Sequence, residues 1–315
     1  MKILLIGDIM LDKNIYTTSN RSCPENKNLP VCNVKKEEYL LGGCANVAVN
    51  LSNLNHKIYL LSYVGEDQNK KIIFNLLDKH NISKDYIITI SNRPTITKNR
   101  VFLNNKLVCR FDEENNSDIG FHHFEETVKK CFENIELDMI VISDYSKGII
   151  NKSGLSEYVI NEANKRKLPI IIDPKPKNIN FYKNSTIIKA NFDEISDIYY
   201  KLKKIKITID DLDIASKVIC KMYNISYLVT SLSSEGIFLY NNINSSNFIF
   251  NDKYIKQDQV IDVTGAGDIV LSLLSHYYED VNKGCYIANK IAQESVLHCG
   301  VKYINLDSLE QEQDI

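Results

Sequence analysis

Short apolar runs alternate with segments of helical period along most of the 315-residue chain. The predicted strands lie at residues 2–8, 57–65, 139–143, 169–173, 186–190 and 227–230, with a late antiparallel pair at 237–240 and 248–250. The predicted helices start near Gly42 and Asp67, follow Lys152, Phe192 and Asp211, and cover about 266–279 and 283–299. Strands that alternate with helices indicate a mainly parallel sheet covered on both faces, with ligands bound beyond the carboxyl ends of the strands.

Two excursions of β character interrupt this alternation. The strand-like segments are residues 13–18, 30–36, 95–103 and 106–112, the last two joined by Asn104 and Asn105, which tolerate positive φ. We expect these segments to form one small sheet that covers the mouth of the core as a lid. The predicted division is a core of residues 1–12, 42–91 and 113–315 and a lid of residues 13–41 and 92–112.

The segment from Asp262 to Asp268 reads Asp-Val-Thr-Gly-Ala-Gly-Asp and runs straight into an apolar helix. Its glycines, Gly265 and Gly267, let the backbone turn tightly, so that N–H groups converge at the positive end of the helix dipole. This pattern predicts an anion site in which Asp268 accepts a proton from an attacking hydroxyl. The seven residues alone fit almost equally well an ordinary loop with Asp268 as a helix cap.

Composition disfavours several classes of protein. The net charge is −2 and the pI about 6.3, so no global charge attracts nucleic acid or a membrane surface. No apolar run approaches the length of a membrane span, and the chain has neither a P-loop nor a dinucleotide-binding Gly-x-Gly-x-x-Gly after its first strand. The six histidines have no zinc-ligand spacing, and the eight cysteines form no Cys-x-x-Cys pair. We therefore expect reduced thiols and a cytoplasmic protein.

Three motifs carry a resemblance to a known family. Gly-Gly-x-x-Asn opens the first helix at Gly42, Asn-x-x-Glu follows a central strand at Asn191, and the glycine turn ends at Asp268. Their order and spacing resemble those of the ribokinase-like sugar kinases, the PfkB carbohydrate kinase family, over nearly the whole chain. The resemblance implies a three-layer α/β/α core with a mainly parallel central sheet, a small β-sheet lid and ATP-dependent phosphorylation of a sugar.

Within that family, the chain is most similar to the kinases that phosphorylate D-glycero-β-D-manno-heptose 7-phosphate. The segments that carry this similarity are residues 7–12, 21–25, 94–100, 110–112, 144–148 and 172–175. The similarity implies heptose 7-phosphate as substrate and the 1,7-bisphosphate as product. No adenylyltransferase half follows Ile315, so we expect a stand-alone kinase.

The resemblance also implies roles for individual residues. Asp268 acts as the base, beside N–H groups that stabilise charge on the transferring phosphoryl group, those of Gly265, Ala266 and Gly267. The residues implied in sugar binding are Asp12, Gly42, Gly43, Asn46 and Asp144, with the basic Arg100, Arg110 and Lys147. The residues implied in nucleotide binding are Lys189, Asn191, Glu194, Thr264 and Asn289.

Two metal ions are implied by the resemblance. Asn191 and Glu194, three residues apart at one helix start, would hold Mg²⁺ through water, because that ion favours oxygen ligands and keeps much of its hydration. Asp262 is similar to the family residue beside a monovalent-cation site, which would bind K⁺. The Asn-x-x-Glu spacing fits a helix-capping box equally well.

A set of basic residues bears on whether the substrate already carries a phosphate. These residues lie in lid or strand-end segments: Arg21, Lys98, Arg100, Arg110, Lys147 and Lys175. Their convergence at one end of the sugar pocket would favour a sugar phosphate, because guanidinium groups bind dianions with two hydrogen bonds.

Two alternatives to a sugar-phosphate kinase stay open. They are a kinase for an unphosphorylated sugar or a nucleoside, and a catalytically silent binding protein of the same fold. We also expect a homodimer through the lid, whose sheet has one face to cover and edges to protect.

Overall fold

The computed structural model describes residues 1–152, 154–251, 255, 259–298, 300–305 and 309. The strands are β1 Lys2–Gly7, β2 Ile9–Thr18, β3 Asn33–Gly43, β4 Lys57–Gly65, β5 Ile87–Ile90, β6 Thr97–Leu103, β7 Lys106–Glu113, β8 Met139–Ser143, β9 Ile170–Asp173, β10 Ile187–Asn191, β11 Tyr227–Ser231, β12 Ile237–Asn241 and β13 Ser246–Phe250. The α-helices are α1 Cys44–Asn53, α2 Gln68–Lys79, α3 Glu125–Asn134, α4 Leu155–Lys165, α5 Phe192–Lys203, α6 Leu212–Tyr223, α7 Ala266–His276 and α8 Val281–Ser295.

Nine strands form the main sheet, in the order β13-β12-β11-β10-β9-β8-β1-β4-β5. Neighbours from β11 to β5 are parallel, and β12 and β13 extend one edge in antiparallel fashion. Along β1, Leu4 and Ile6 pack into one core cluster while Ile3 and Leu5 pack into the other. The first cluster is covered by α3 to α6 and the second by α1, α2, α7 and α8. The prediction of a three-layer α/β/α core is therefore confirmed.

The second sheet has four strands in the order β3-β2-β6-β7. β6 and β7 form the predicted hairpin, with φ values of 48° at Asn104 and 65° at Asn105. β2 and β3 are longer than predicted, because their antiparallel pairing continues up to Ile9 and Gly43. A single residue, Asp8, therefore joins β1 of the main sheet to β2 of the small sheet.

Two elements lie outside the predictions. β5 has only four residues, too few to establish a period, and α3 has a core face of only three buried residues, Val128, Cys131 and Phe132. The last two helices end earlier than predicted, at His276 and Ser295.

The seven described cysteines are free, and Cys299 lies outside the described residues. Among the described residues, no helix combines the length and apolar character that crossing a bilayer requires.

Candidate active site

A pocket of about 130 Å³ lies at the carboxyl ends of the central strands β8, β9 and β10. Its lining residues are Asp144, Tyr145, Asp173, Lys175, Lys189, Asn191, Glu194, Gly265, Gly267 and Asp268. Polar residues that follow neighbouring parallel strands meet at one edge of the sheet, and this brings most of the predicted catalytic and nucleotide-binding residues together.

Asp268 lies in the first turn of α7, and only 6% of the residue is exposed. Its Oδ1 accepts a hydrogen bond from the hydroxyl of Tyr145 at 2.7 Å, and its Oδ2 accepts one from Nδ2 of Asn46 at 2.5 Å. Burial raises the pKa of Asp268 to about 6, although both hydrogen bonds act to lower it. Gly265 takes the cap position of α7 without a side-chain cap, so the alternative of Asp268 as an ordinary helix cap is not what the structure shows.

The two glycines before Asp268 make room for side chains of the pocket. Gly265 has a φ of 84°, a conformation that favours glycine. A Cβ atom on Gly265 would lie 3.0 Å from Nδ2 of Asn46, and one on Gly267 would lie 3.0 Å from Nζ of Lys189. The turn is therefore fitted closely to both of these neighbours.

The predicted cradle of N–H groups needs one correction. The N–H of Ala266 donates to the carbonyl oxygen of Val263 at 3.3 Å, so it is already engaged. The N–H groups of Gly267 and Asp268 belong to the first turn of α7, where donors have no acceptor within the helix. Of the predicted donors, the N–H of Ala266 is therefore not free, and the N–H of Asp268 joins that of Gly267 at the helix start.

Two lysines face the start of α7 across the pocket. Nζ of the buried Lys189 lies 2.8 Å from Oδ2 of Asp173, and Nζ of Lys175 lies 2.6 Å from Oε1 of Glu194. Burial acts to lower the pKa of Lys189, but Asp173, together with Glu194 and Asp268, raises the pKa overall. Two ammonium groups and a helix N-terminus form surroundings that suit a phosphoryl group.

Asn191 and Glu194 form the capping box that their spacing also allowed. Oδ1 of Asn191 accepts from the N–H of Glu194 at 2.8 Å, and Oε2 of Glu194 accepts from the N–H of Asn191 at 3.0 Å. Both Glu194 oxygens therefore have protein donors, and the pair fits Mg²⁺ through bridging water only. Among the described residues, no group of three or more His, Cys, Asp or Glu side chains could hold a metal ion.

Asp262 orders the loop before α7. Its Oδ1 accepts from the N–H and the hydroxyl of Thr264 at 2.9 and 2.6 Å, and its Oδ2 accepts from the N–H of Gly300 at 2.9 Å. Burial acts to raise the pKa of Asp262, but these hydrogen bonds lower it overall. Thr264 and the buried Asn289 on α8 are not among the residues that line the pocket, although the sequence assigned both to nucleotide binding.

Asp12 lies on β2, beside the junction of the two sheets. Its Oδ1 accepts from Nη1 of Arg100 at 2.6 Å, and a Cβ atom on Gly42 would overlap its Oδ2. Gly43 has a φ of 59°, and a Cβ atom there would overlap the carbonyl oxygen of Asp8. Gly43 is required by the approach of the Asp8 backbone, and Gly42 makes room for the Asp12 carboxylate.

Asn46 connects this region to Asp268. It lies in the first turn of α1 with 1% of the residue exposed, and its Nδ2 reaches Asp268. Its buried Oδ1 has no hydrogen-bond partner among the described residues. Because buried polar atoms are normally paired, an unpaired acceptor beside a carboxylate fits the hydroxyl of a bound ligand.

Asp144 lines the pocket, but its carboxylate is occupied by protein donors. Oδ1 accepts from the N–H of Ser146 at 2.7 Å, and Oδ2 accepts from the N–H of Lys175 at 3.1 Å. Nδ2 of Asn178 and the hydroxyl of Tyr182 also donate to Oδ2, at 2.9 and 2.7 Å. These contacts order the strand-end loops, and they give no support to the predicted sugar-binding role of this carboxylate.

Basic side chains cluster where the small sheet faces the core. Three of them have acidic partners: Arg100 binds Asp12, Arg110 binds Asp112 and Lys147 binds Glu114, each with a contact of 2.6 Å. Lys98 lies beside Asp12 in the sheet register. Burial lowers the pKa of Lys98, and Arg110, Arg100 and Lys147 lower it further against the opposing effect of Asp12. Arg21 is exposed in the loop between β2 and β3.

Two residues without a role assigned from the sequence organise the site. The carboxylate of the fully buried Asp8 accepts from the N–H groups of Tyr145, Lys147 and Ile149 at 3.1, 3.0 and 3.4 Å. Burial raises the pKa of Asp8 to about 6. Tyr145, in the loop that Asp8 holds, reaches Asp268. The one available signal was position, because Asp8 directly follows β1 and Tyr145 comes two residues after β8, while tyrosine near a strand end has no motif of its own.

The chain matches the profile of the pfkB family of carbohydrate kinases over residues 1–307. The bifunctional protein HldE of Actinobacillus succinogenes is 31% identical, in an alignment that covers 98% of this chain and 63% of the relative. HldE of Campylobacter concisus is 33% identical, with 99% of this chain and 64% of the relative covered. The chain therefore spans slightly less than two thirds of the length of these curated relatives.

Solved structures share the fold. Phosphofructokinase-2 from Escherichia coli, in complex with substrates and products, superposes with a TM-score of 0.76 at 16% identity, covering 99% of this chain and 98% of that one. Ribokinase from Arabidopsis thaliana, complexed with ribose and ATP, gives a TM-score of 0.73 at 17% identity, covering 100% and 99%. The prediction of a ribokinase-like architecture is confirmed.

Proposed function

The chain belongs to the pfkB family of carbohydrate kinases, and from this premise we propose that it transfers the γ-phosphoryl group of ATP to a hydroxyl of a sugar phosphate. We propose D-glycero-D-manno-heptose 7-phosphate as the acceptor and the 1,7-bisphosphate as the product. The observation that carries the proposal is the buried carboxylate of Asp268, which Tyr145 and Asn46 hold at a helix start facing two lysines.

Asp268 accepts the proton of the attacking hydroxyl in this proposal. Each carboxylate oxygen accepts one hydrogen bond from the protein and keeps further acceptor capacity, so a sugar hydroxyl can donate to it without displacing either partner. In a loose phosphoryl-transfer transition state the nucleophile has to be positioned more than activated. The buried Oδ1 of Asn46 offers an acceptor to a second hydroxyl of the same sugar.

The start of α7 and the two lysines stabilise negative charge on the transferring group. The N–H groups of Gly267 and Asp268 point out of the first turn, and Lys189 and Lys175 lie across the pocket. When bound, MgATP supplies the phosphoryl group, with the ion held through water near Asn191 and Glu194. A K⁺ ion beside Asp262 stays a prediction, because that carboxylate already accepts three hydrogen bonds.

The basic cluster supports a phosphorylated acceptor over a plain sugar or nucleoside. Lys98, unlike Arg100 and Lys147, has no carboxylate within salt-bridge distance among the described residues. A dianion bound beside Lys98 would relieve its repulsion by the neighbouring cations. The similarity of the strand-end segments to heptose 7-phosphate kinases, and the identity of 31–33% to HldE proteins, support heptose as the sugar.

We propose that the small sheet acts as a lid over the sugar and that its outer face joins two copies of the chain. Four large apolar side chains on this sheet are 49–58% exposed: Val34, Leu107, Val108 and Phe111. Exposed apolar patches on an edge strand favour association, and a second lid would cover them.

The same proposal includes a cytoplasmic location, which the free thiols of the described cysteines support.

The test is ADP release with MgATP over a panel of heptose 7-phosphate, fructose 6-phosphate, fructose, ribose and adenosine. Heptose 7-phosphate should give the highest kcat/KM, and Asp268→Asn should lower turnover by about 10²- to 10⁴-fold. Asp213→Asn, an exposed acid in the first turn of α6, is the matched control and should turn over normally.

Two outcomes would contradict this proposal. Turnover of ribose or fructose with inert heptose 7-phosphate would overturn the substrate while leaving the kinase assignment intact. No turnover of any acceptor by a folded protein would favour the silent binding protein.

A further inference from the structure

Tyr145 contacts several parts of the site at once. Its hydroxyl donates to Oδ1 of Asp268 at 2.7 Å, and its N–H donates to the buried carboxylate of Asp8 at 3.1 Å. The ammonium group of Lys98, from the small sheet, lies 5.5 Å from the centre of its ring. The ammonium group of Lys175, from the loop after β9, lies 6.0 Å from the same point.

We propose that Tyr145 is a positioning residue that fixes the Asp268 carboxylate in its reactive orientation and stabilises the negative charge on it. This inference rests on the proposed function, because it takes Asp268 as the base. It adds to the reaction a residue from segment 144–148, outside the three family motifs, to which the sequence assigned no role.

The geometry explains why a second donor is needed. Asn46 reaches Oδ2 from α1, and Tyr145 reaches Oδ1 from the loop after β8, so two separate elements hold the two oxygens. One donor alone would leave the carboxylate free to rotate about its terminal bond, whose torsional preference is broad. Two donors on different oxygens fix its plane and leave an acceptor site toward the sugar.

The charges around Asp268 show what the hydroxyl contributes. The other titratable groups that face it are Asp173 from β9, Lys189 from β10 and Cys44 from α1. Asp173 opposes ionisation of Asp268, and Lys189 favours it but is already paired with Asp173. The hydrogen bond from the Tyr145 hydroxyl is therefore a major factor that lowers the pKa of Asp268 against the effect of burial.

Tyr145 itself stays a donor over the working pH range. Burial, together with the negative charges of Asp268 and Asp173, holds the pKa of Tyr145 well above its usual value. The proton on the hydroxyl is thus retained while Asp268 gains and loses its own proton.

The experiment compares kcat/KM from pH 5 to 9 for the wild type, Tyr145→Phe and Tyr223→Phe, with MgATP and the acceptor found in the substrate panel. Tyr145→Phe keeps the ring and its contacts with the two ammonium groups but removes the hydroxyl. The acid limb of its pH profile, where kcat/KM falls as Asp268 becomes protonated, should move to a pH about one unit higher. The kcat/KM of the variant should then be about five-fold below that of the wild type near pH 6 and less than two-fold below it above pH 8. Tyr223 is the matched control, because it does not line the pocket and its hydroxyl donates to Oδ1 of Asn180 at 3.2 Å. Tyr223→Phe should keep the acid limb of the wild type.

Ionisation of the substrate phosphates affects every variant equally. A difference between the acid limbs of two variants therefore comes from a group on the enzyme. Tyr145→Leu, which also removes the ring, should show the same displacement and in addition a higher KM for the sugar phosphate. An acid limb of Tyr145→Phe that coincides with the wild-type limb would overturn the inference, whatever the height of the profile.

Asp268→Asn separates this inference from the proposed function. If Asp268→Asn keeps nearly full turnover, the assignment of the base is wrong, and the inference falls with it. If Asp268→Asn is inactive and the limb of Tyr145→Phe is unmoved, only the role of Tyr145 is wrong.

Discussion

Nζ of Lys189 lies 2.8 Å from Oδ2 of Asp173 at the base of the pocket. The lysine that faces the start of α7 is therefore already paired, and a phosphoryl group entering the pocket has to share this cation with a carboxylate. The pair also fixes Lys189 against Gly267, where an added Cβ atom would approach its ammonium group to 3.0 Å.

Replacing Lys189 by methionine should lower the free energy of unfolding by up to about 3 kcal/mol, because Asp173 would remain as a partly buried charge without its partner. Adding Asp173→Asn in the same chain should recover part of the loss, since the orphan charge is removed. Urea unfolding measures both effects. Lys129→Met, which breaks an exposed pair with Glu125, is the control and should leave stability unchanged. If Lys189→Met is as stable as this control, the Lys189–Asp173 pair has no structural role.

Gly265→Ala and Gly154→Ala separate backbone strain from contact with the site. Both glycines have positive φ values, 84° and 98°, so each alanine should cost about 1–2 kcal/mol of stability. Only at Gly265 does the new Cβ atom meet Asn46, at 3.0 Å, whereas nothing lies within 4 Å of it at Gly154 among the described residues. Turnover should therefore fall by roughly ten-fold in Gly265→Ala, the effect of about 1.4 kcal/mol on the barrier, and stay normal in Gly154→Ala. Equal turnover of the two variants would show that the Asn46 contact is unimportant.

Asp268→Asn should stabilise the protein at neutral pH. Because the pKa of Asp268 is raised from 3.8 to about 6 in the folded chain, the folded state binds more protons than the unfolded state between these values, and stability from this residue falls as pH rises through them. Asparagine cannot ionise, so the gain should approach about 3 kcal/mol at pH 7.5, shrink as pH falls below 6 and vanish only below the unfolded pKa of 3.8.

Urea unfolding at pH 4.5, 6 and 7.5 measures this gain. Asp213→Asn, at an exposed carboxylate, is the control and should show no gain that grows with pH. Lower stability of Asp268→Asn than wild type at pH 7.5 would contradict the expectation.

Lys98→Met should weaken binding of the sugar phosphate specifically. Loss of a charge-assisted contact with a phosphate should raise the KM for that substrate by about 10- to 100-fold and leave the KM for ATP within about two-fold. Steady-state kinetics with each substrate varied in turn measures the two values. Lys106→Met, at the exposed far end of the same hairpin, is the control. An equal rise of both KM values would place Lys98 outside a sugar-phosphate subsite.

Phe111→Glu should convert the proposed dimer to monomer, because it buries a charge in the apolar face shared by two lids. Size-exclusion chromatography with light scattering measures the mass. Ile243→Glu, at an exposed apolar position on the opposite edge of the main sheet, is the control and should stay dimeric. A monomeric wild type would refute the dimer.

Much of the fold could be predicted because the strands of the main sheet are continuous apolar runs and Gly265 and Gly267 mark the start of α7. The hairpin was predicted because Asn104 and Asn105 tolerate the backbone that the turn requires. The contacts of individual side chains were not accessible in this way. The spacing of Asn191 and Glu194 fits two structures, and only coordinates show that both Glu194 oxygens are occupied.

The residues that the sequence left out depend on contacts between distant segments. Tyr145 and Asp268 are 123 positions apart, and no local pattern links a tyrosine to a carboxylate at that separation. Asp144 and Ala266 were assigned roles from their motifs, but the motifs do not show that donors from later in the chain occupy the Asp144 carboxylate or that the N–H of Ala266 turns back to Val263.

Asp8 is both the one-residue link between the two sheets and the anchor of the loop that carries Tyr145. A movement of the small sheet at this link would shift the Asp8 carboxylate, and with it the loop whose tyrosine hydroxyl donates to Asp268. If the small sheet closes over a sugar as proposed, the buried Asp8 side chain would couple that closure to the orientation of the Asp268 carboxylate.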